Sequence, residues 1–99
     1  MGVLSVGCAR AAVPVPYELT STDPTQDQWA IAGFYRKEAL LLSMKAEAMA
    51  QRADTYERLF GHNSEWVVGT RLLVQFYEDA AMDRERLARQ HEGLAATRR

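Results

Sequence analysis

His91, Glu38 and Met49 are the side chains whose types and placing come nearest to a metal site in this sequence. His91 falls on the inner stripe of the second of two long helical segments. Counting back from the loop between them sets it opposite Phe34, Tyr35 and Glu38. A histidine there either ligates a metal with help from Glu38 or is half-buried and held by a hydrogen bond to Glu38 or a tyrosine. The second reading is preferred. Met44, Met49 and Met82 raise the question of Cu(I), which favours thioethers. Met49 is a core position, but Met44 and Met82 fall on other faces, so no three methionines converge within one hairpin and they read as gap-filling residues. His62 sits in the loop. The Glu-x-x-His pairs of di-iron bundles, HExxH, CxxCH, GxSxG and Gly-rich phosphate loops are all missing from the sequence. The expectation is no catalytic residue, no cofactor and no metal, with His91 and Glu38 as the weak metal candidates.

What would position these residues is a repeat of seven. Ala32, Ala39, Ala46 and Ala53 recur at that interval, and Tyr35, Leu42, Met49 and Tyr56 each follow three residues later. In the second segment Trp66, Leu73, Ala80, Leu87 and Leu94 form one line, with Val67, Val74, Ala81, Ala88 and Ala95 beside it. Such spacing closes on itself in paired, slightly under-wound helices. Asp23-Pro24 starts the first helix, with Asp23 accepting from free backbone N–H groups, Pro24 at the first helical position and Gln26 completing a box-like arrangement. The helix continues to about Phe60, roughly 50 Å at 1.5 Å per residue. Gly61 supplies a left-handed cap, and Asn63 or Ser64 caps a second helix from Glu65 to about Ala95. A connection this short makes the helices antiparallel neighbours. The fold expected is all-α, a two-helix hairpin with an alanine-rich seam over residues 24–96, preceded by a tether over residues 1–23.

Small side chains at every repeat let helix axes approach closely. Phe34, Leu40, Leu41, Met44 and Ala48 lie off the main stripe of the first helix, and Val68, Leu72 and Phe76 off that of the second. They read as second contact surfaces, which a homodimeric four-helix bundle or docking on a larger complex would cover. Tyr35, Tyr56 and Tyr77 should sit near the seam's edge, where their hydroxyls find partners.

Composition narrows the partners. A formal charge of −1 on 99 residues lacks the basic field that nucleic-acid binding needs. The stretch from Arg84 to Arg99 is modestly basic and reads as a solvated face. No apolar run approaches the roughly 18 residues of a membrane span. Cys8, the single cysteine, excludes an intrachain disulfide. Val3-Leu4-Ser5-Val6-Gly7-Cys8-Ala9 looks like the end of a bacterial lipoprotein signal, in which the cysteine is lipidated. It departs from that pattern at Ser5, in its shortness and in having no preceding Lys or Arg. Two readings stand: a recorded start that lies downstream of the true one, or an ordinary N-terminus carrying a free thiol. Pro14 and Pro16 keep the following stretch extended.

Tyr35-x-x-Glu38-Ala39, Leu42, Lys45-Ala46, Ala53 and Tyr56, followed by Leu73, Tyr77, Ala80-Ala81, Leu87-Ala88, His91 and Leu94-Ala95, resemble small bacterial envelope proteins, often predicted lipoproteins. The resemblance covers about two-thirds of the chain. Members often carry a His-Cys pair early in helix two and a histidine midway along helix one. Gly69-Thr70 and Met49 stand at the corresponding positions here. The resemblance therefore implies an envelope location more than a chemistry, periplasmic or outer-envelope, with any membrane attachment through lipid on Cys8. The expected function is a non-catalytic interaction module, self-associating or accessory to a membrane-protein assembly. A small metal-binding or stress-related periplasmic protein is one alternative, and a cytoplasmic regulatory or assembly subunit is another.

Overall fold

The computed structural model describes residues 23–97. Two helices account for almost all of them: α1, Pro24–Phe60, of 37 residues, and α2, Glu65–Thr97, of 33 residues. They lie against each other along their length as an antiparallel hairpin. The N-terminal tether and its Cys8 lie outside the described residues.

Local chemistry sets the ends. The Asp23 side chain accepts from the Thr25 backbone N–H at 3.0 Å, Pro24 opens the first turn, and Asp27 lies in that turn. Gly61 ends α1, its N–H donating to the Glu57 carbonyl at 2.9 Å. Its φ is positive, 90°, as expected of a glycine cap, but its ψ is 155°. The backbone is therefore extended rather than left-handed helical, in a region essentially reserved for glycine. Of the two residues expected to cap α2, Ser64 does so: its Oγ accepts from the Trp66 N–H at 3.1 Å, and its carbonyl receives Val67 and Val68. The second helix runs two residues beyond the expected end at Ala95.

The seam is built as the alanine repeat predicts. Ala32, Ala39, Ala46 and Ala53 are buried on α1, and Val67, Ala81, Ala88 and Ala95 on α2. Placing these buried lines at position a of a repeat a–g, the d positions of α1 are Gln28, Tyr35, Leu42, Met49 and Tyr56, all half-buried. Among the described residues no large side chain is fully buried. Close approach of backbones across small residues, rather than a thick greasy interior, is what this hairpin uses for cohesion.

The second line of α2 differs from the one the sequence suggested. Trp66, Leu73 and Leu94 are 64%, 45% and 48% exposed, so that apolar line flanks the seam instead of filling it. The d line is Thr70, Tyr77, Arg84 and His91, a row of polar and aromatic side chains. Thr70 is buried and satisfied within its own helix, donating to the Trp66 carbonyl at 2.7 Å. Both tryptophans stand outside the core, Trp29 being 48% exposed at the open end of the hairpin.

Candidate functional site

The d positions bring His91 to Tyr35, whose ring stacks on the imidazole with centroids 5.7 Å apart. His91 Nδ1 lies 2.6 Å from the side-chain oxygen of Gln28. An amide oxygen only accepts, so in this arrangement Nδ1 carries the proton. Glu38 is not the histidine's partner. Its carboxylate accepts from Arg84 Nε at 2.8 Å, and Arg84 also donates to Asp83 at 3.0 Å. The expected pairing of His91 with Glu38 is thus replaced by two separate contacts, because Arg84 occupies the seam position between them. Among the described residues no group of three or more His, Cys, Asp or Glu side chains is gathered as metal ligands would be. Met49 is half-buried in the seam, whereas Met44 and Met82 are exposed, as the repeat predicted. Cys8, the lipidation candidate, lies outside the described residues.

Polar groups divide between the two edges of the seam. On one edge the e positions of both helices meet. Arg36 holds Glu92 with two bonds, 2.9 and 2.8 Å, and Arg71 donates to Glu57 at 2.8 Å and to Asp54 at 3.1 Å. Facing e residues exchange charge in this way in antiparallel coiled coils. The bond from Arg36 lowers the Glu92 carboxyl below its ordinary value and raises the Arg36 guanidinium. The Arg71 guanidinium is raised for the same reason, first by Glu57 and then by Asp54. The Arg86 guanidinium at 2.7 Å does the same to Asp83, lowering its carboxyl. Arg89 lies 3.8 Å from Glu85, the pair expected from their spacing. The basic stretch of α2 is therefore largely matched by neighbouring carboxylates, in keeping with a solvated face.

On the other edge the g positions meet, and α2 contributes Trp66, Leu73, Ala80, Leu87 and Leu94 there. Leu41 and Phe76, at c positions of the same edge, are 55% and 62% exposed. A shallow groove of about 500 Å³ runs along α1, lined by Glu38, Leu41, Leu42, Lys45, Ala48 and Arg84, with Met44 at its rim. Lys45 lies over the Tyr77 ring, 5.6 Å from its centroid. At the loop end Tyr56 packs against both Trp66 and Phe60.

The residues proposed as contact surfaces do not form one patch. Leu41 and Phe76 share the g edge with Phe34, which is half-buried and tilted against Tyr35. Leu40 and Val68 lie toward the e edge, and Met44 and Leu72 on the backs of the helices. Val68 and Leu72 border a separate groove beside the loop, with His62 and the Arg71–Glu57 pair. Sequence reasoning missed the role of Arg84. The signal was present, since Arg84 stands seven residues from both Tyr77 and His91, but a charged residue on a seam line is counted against burial unless its partner is known.

The fold defines the class: an all-α antiparallel hairpin with a small-residue seam, one edge of ion pairs and one edge on which an apolar row of α2 lies beside Glu38, Lys45 and Arg52 of α1. No family model matches the chain, and no curated protein or solved structure matches it.

Proposed function

We propose that this chain is a non-catalytic interaction module of the bacterial cell envelope, associating with itself or serving as an accessory subunit of a membrane-protein assembly. The observation that carries the interaction is the apolar g edge: Trp66, Leu73 and Leu94 stay 64%, 45% and 48% exposed beside a completed seam. A row of exposed apolar side chains along one edge marks a place of contact, while Leu40, Met44, Val68, Leu72 and Met82 are exposed away from that row. The grooves along the hairpin are shallow and open, and charged side chains that line one of them, Asp83, Glu85, Arg86 and Arg89, are paired with each other rather than converging on an enclosed reaction centre. The envelope location draws its support from the Val3–Cys8 segment and the resemblance described above. Among the described residues no helix is long and apolar enough to cross a membrane, so on this reading the attachment is acyl chain on Cys8.

Native mass spectrometry of the protein extracted gently from its own cells tests this. The expected result is lipid mass on Cys8 and a species larger than one 11.2 kDa chain. An unmodified, fully helical single chain without any companion would overturn the reading.

A further inference from the structure

We propose that the occupant of the g edge is a second copy of this chain, laid face to face and antiparallel. The two-fold axis lies in the plane between the copies, level with Leu41 and Leu42. The proposal rests on the interaction reading above and makes it specific.

Charge selects this arrangement. The g positions of α1 are Ile31, Glu38, Lys45, Arg52 and Leu59. Reversal about the Leu41–Leu42 level sets Glu38 of each copy against Lys45 of the other, giving two opposite-charge pairs, and sets Arg52, an exposed charge, level with Ile31. Sliding the axis by half a repeat sets Lys45 against Lys45 or Glu38 against Glu38, and a full repeat toward the loop sets Lys45 against Arg52. Crossing α1 over α2 instead leaves Glu38 and Lys45 facing Leu87 and Ala80, where the nearest opposite charge for Lys45 is Asp83, already held by Arg84 and Arg86. Among the described residues Lys45 forms no ion pair within its own chain, only the contact with the Tyr77 ring. Glu38 has accepting capacity beyond its bond from Arg84.

The same axis serves both helices. It falls at the centre of α1, which spans Pro24–Phe60, so the overlap is nearly complete. The register that sets Tyr35 on His91 and Arg36 on Glu92 carries the axis to the level of Asp83 and Arg84 in α2. Reversal there sets Ala80 against Leu87, Leu73 against Leu94 and Phe76 near Gln90, and leaves Trp66 beyond the end of the partner's helix. On α1 it sets Phe34 against Ala48, large against small, and Leu41 close to its own copy. Asp83 of the two copies also approach, and each carries its own counter-charges in Arg84 and Arg86.

The area is sufficient. Two adjacent helices present a face about 20 Å wide. Over about 45 Å of overlap this covers about 900 Å², against about 800 Å² per partner in stable complexes. A single-chain hairpin exposing these residues becomes a four-helix bundle whose ion-paired e edges face outward.

Sedimentation equilibrium on the full chain, with helicity followed by circular dichroism, tests the proposal. The wild type is expected at twice its 11.2 kDa mass at micromolar concentration. Leu41→Glu should raise the dimer dissociation constant at least about 100-fold, by placing two unpaired carboxylates at the axis. Lys45→Glu, which turns both ion pairs repulsive, should raise it about 10-fold. Both positions are exposed, so helicity should be retained. Met82→Glu, on the opposite edge, should leave the constant within about two-fold. In a Cys8→Ser background, Leu41→Cys should be joined to its copy by a short bismaleimide, and Met82→Cys should not. A monomer at 100 µM, a dimer lost with Met82→Glu but kept with Leu41→Glu, or a Lys45→Glu dimer of undiminished affinity would each overturn the proposal. A monomer that travels with an envelope assembly in its own cells refutes the second copy and leaves the interaction reading intact. A monomer without company refutes both.

Discussion

The two edges of the seam are flanked by the same helices, yet α2 gives them opposite characters. Along the e edge it places Arg71, Glu78, Glu85 and Glu92, and along the g edge Trp66, Leu73, Ala80, Leu87 and Leu94. The e edge is closed by ion pairs from α1, in which Arg36 and Glu57 meet charges of opposite sign. The g edge is closed only in part: Glu38 is held by Arg84 and Lys45 lies over the Tyr77 ring, while Arg52 is level with Leu73 and the α2 row stays largely bare. Charge on the first edge fixes which way two helices pair, at little cost or gain in stability. Apolar surface on the second adds to pairing only where it is half-buried, as at Leu87, and is otherwise exposed. Cohesion and contact are thus carried mainly by different rows of residues in one helix, with Leu87 belonging to both.

Disrupting what both edges share should have the largest effect. Ala88 is fully buried, and Ala88→Leu would force the backbones apart. A loss of about 3 kcal/mol, read from the urea midpoint at fixed protein concentration, is expected. Next is the loop that aligns the edges. Gly61→Ala meets no neighbouring atom within 4 Å, so its cost comes from the backbone at φ 90° alone. A loss of about 1–3 kcal/mol is expected, seen as a lowered midpoint with unchanged slope.

A smaller effect separates the edges. Leu87→Ala on the g edge should cost about 1–2 kcal/mol, because Leu87 is half-buried. Glu85→Ala on the e edge should stay within about 0.5 kcal/mol. If the two changes proved equal, the division of labour between edges would be wrong.

The smallest effect concerns the e edge in acid. The Glu92 carboxyl is lowered by the Arg36 guanidinium. A group held below its unfolded value contributes stability that is complete above the ordinary carboxylate range. That contribution is lost as pH falls through the lowered folded value. Thermal unfolding between neutral and strongly acid pH should therefore show a shallower acid decline for Glu92→Gln than for the wild type. An identical decline would remove the Arg36–Glu92 pair from the accounting.

Both helices and their junction were readable from the chain, because alanine recurrence, Asp23-Pro24, Gly61 and Ser64 are local signals whose physics needs no distant partner. The row inside α2 was less readable. Hydrophobicity put both the Trp66–Leu94 line and the Val67–Ala95 line beside it on one wide face, with His91 inward; the structure keeps the second line and His91 in the seam, leaves the first on its flank, and admits Thr70, Tyr77 and Arg84 as well. Two facts made that arrangement possible and neither is local: Arg84 meets Glu38 across 46 residues, and His91 meets Gln28 across 63. The same arrangement split the contact candidates between two edges, and it gave Glu38 to Arg84 rather than to His91. A pattern of sevens reveals which residues share a line. Which line faces the neighbour depends on pairs that only the packed hairpin brings together.

The seam holds no indole. Trp29 and Trp66 stand at opposite ends of the rod and on opposite edges, each in contact with water. Intrinsic fluorescence of this protein will thus be dull to melting of its interior and responsive to whatever settles on its flanks. Trp66 would report an arrival on the greasy side and Trp29 one on the ionic side, giving the molecule a built-in optical label for each.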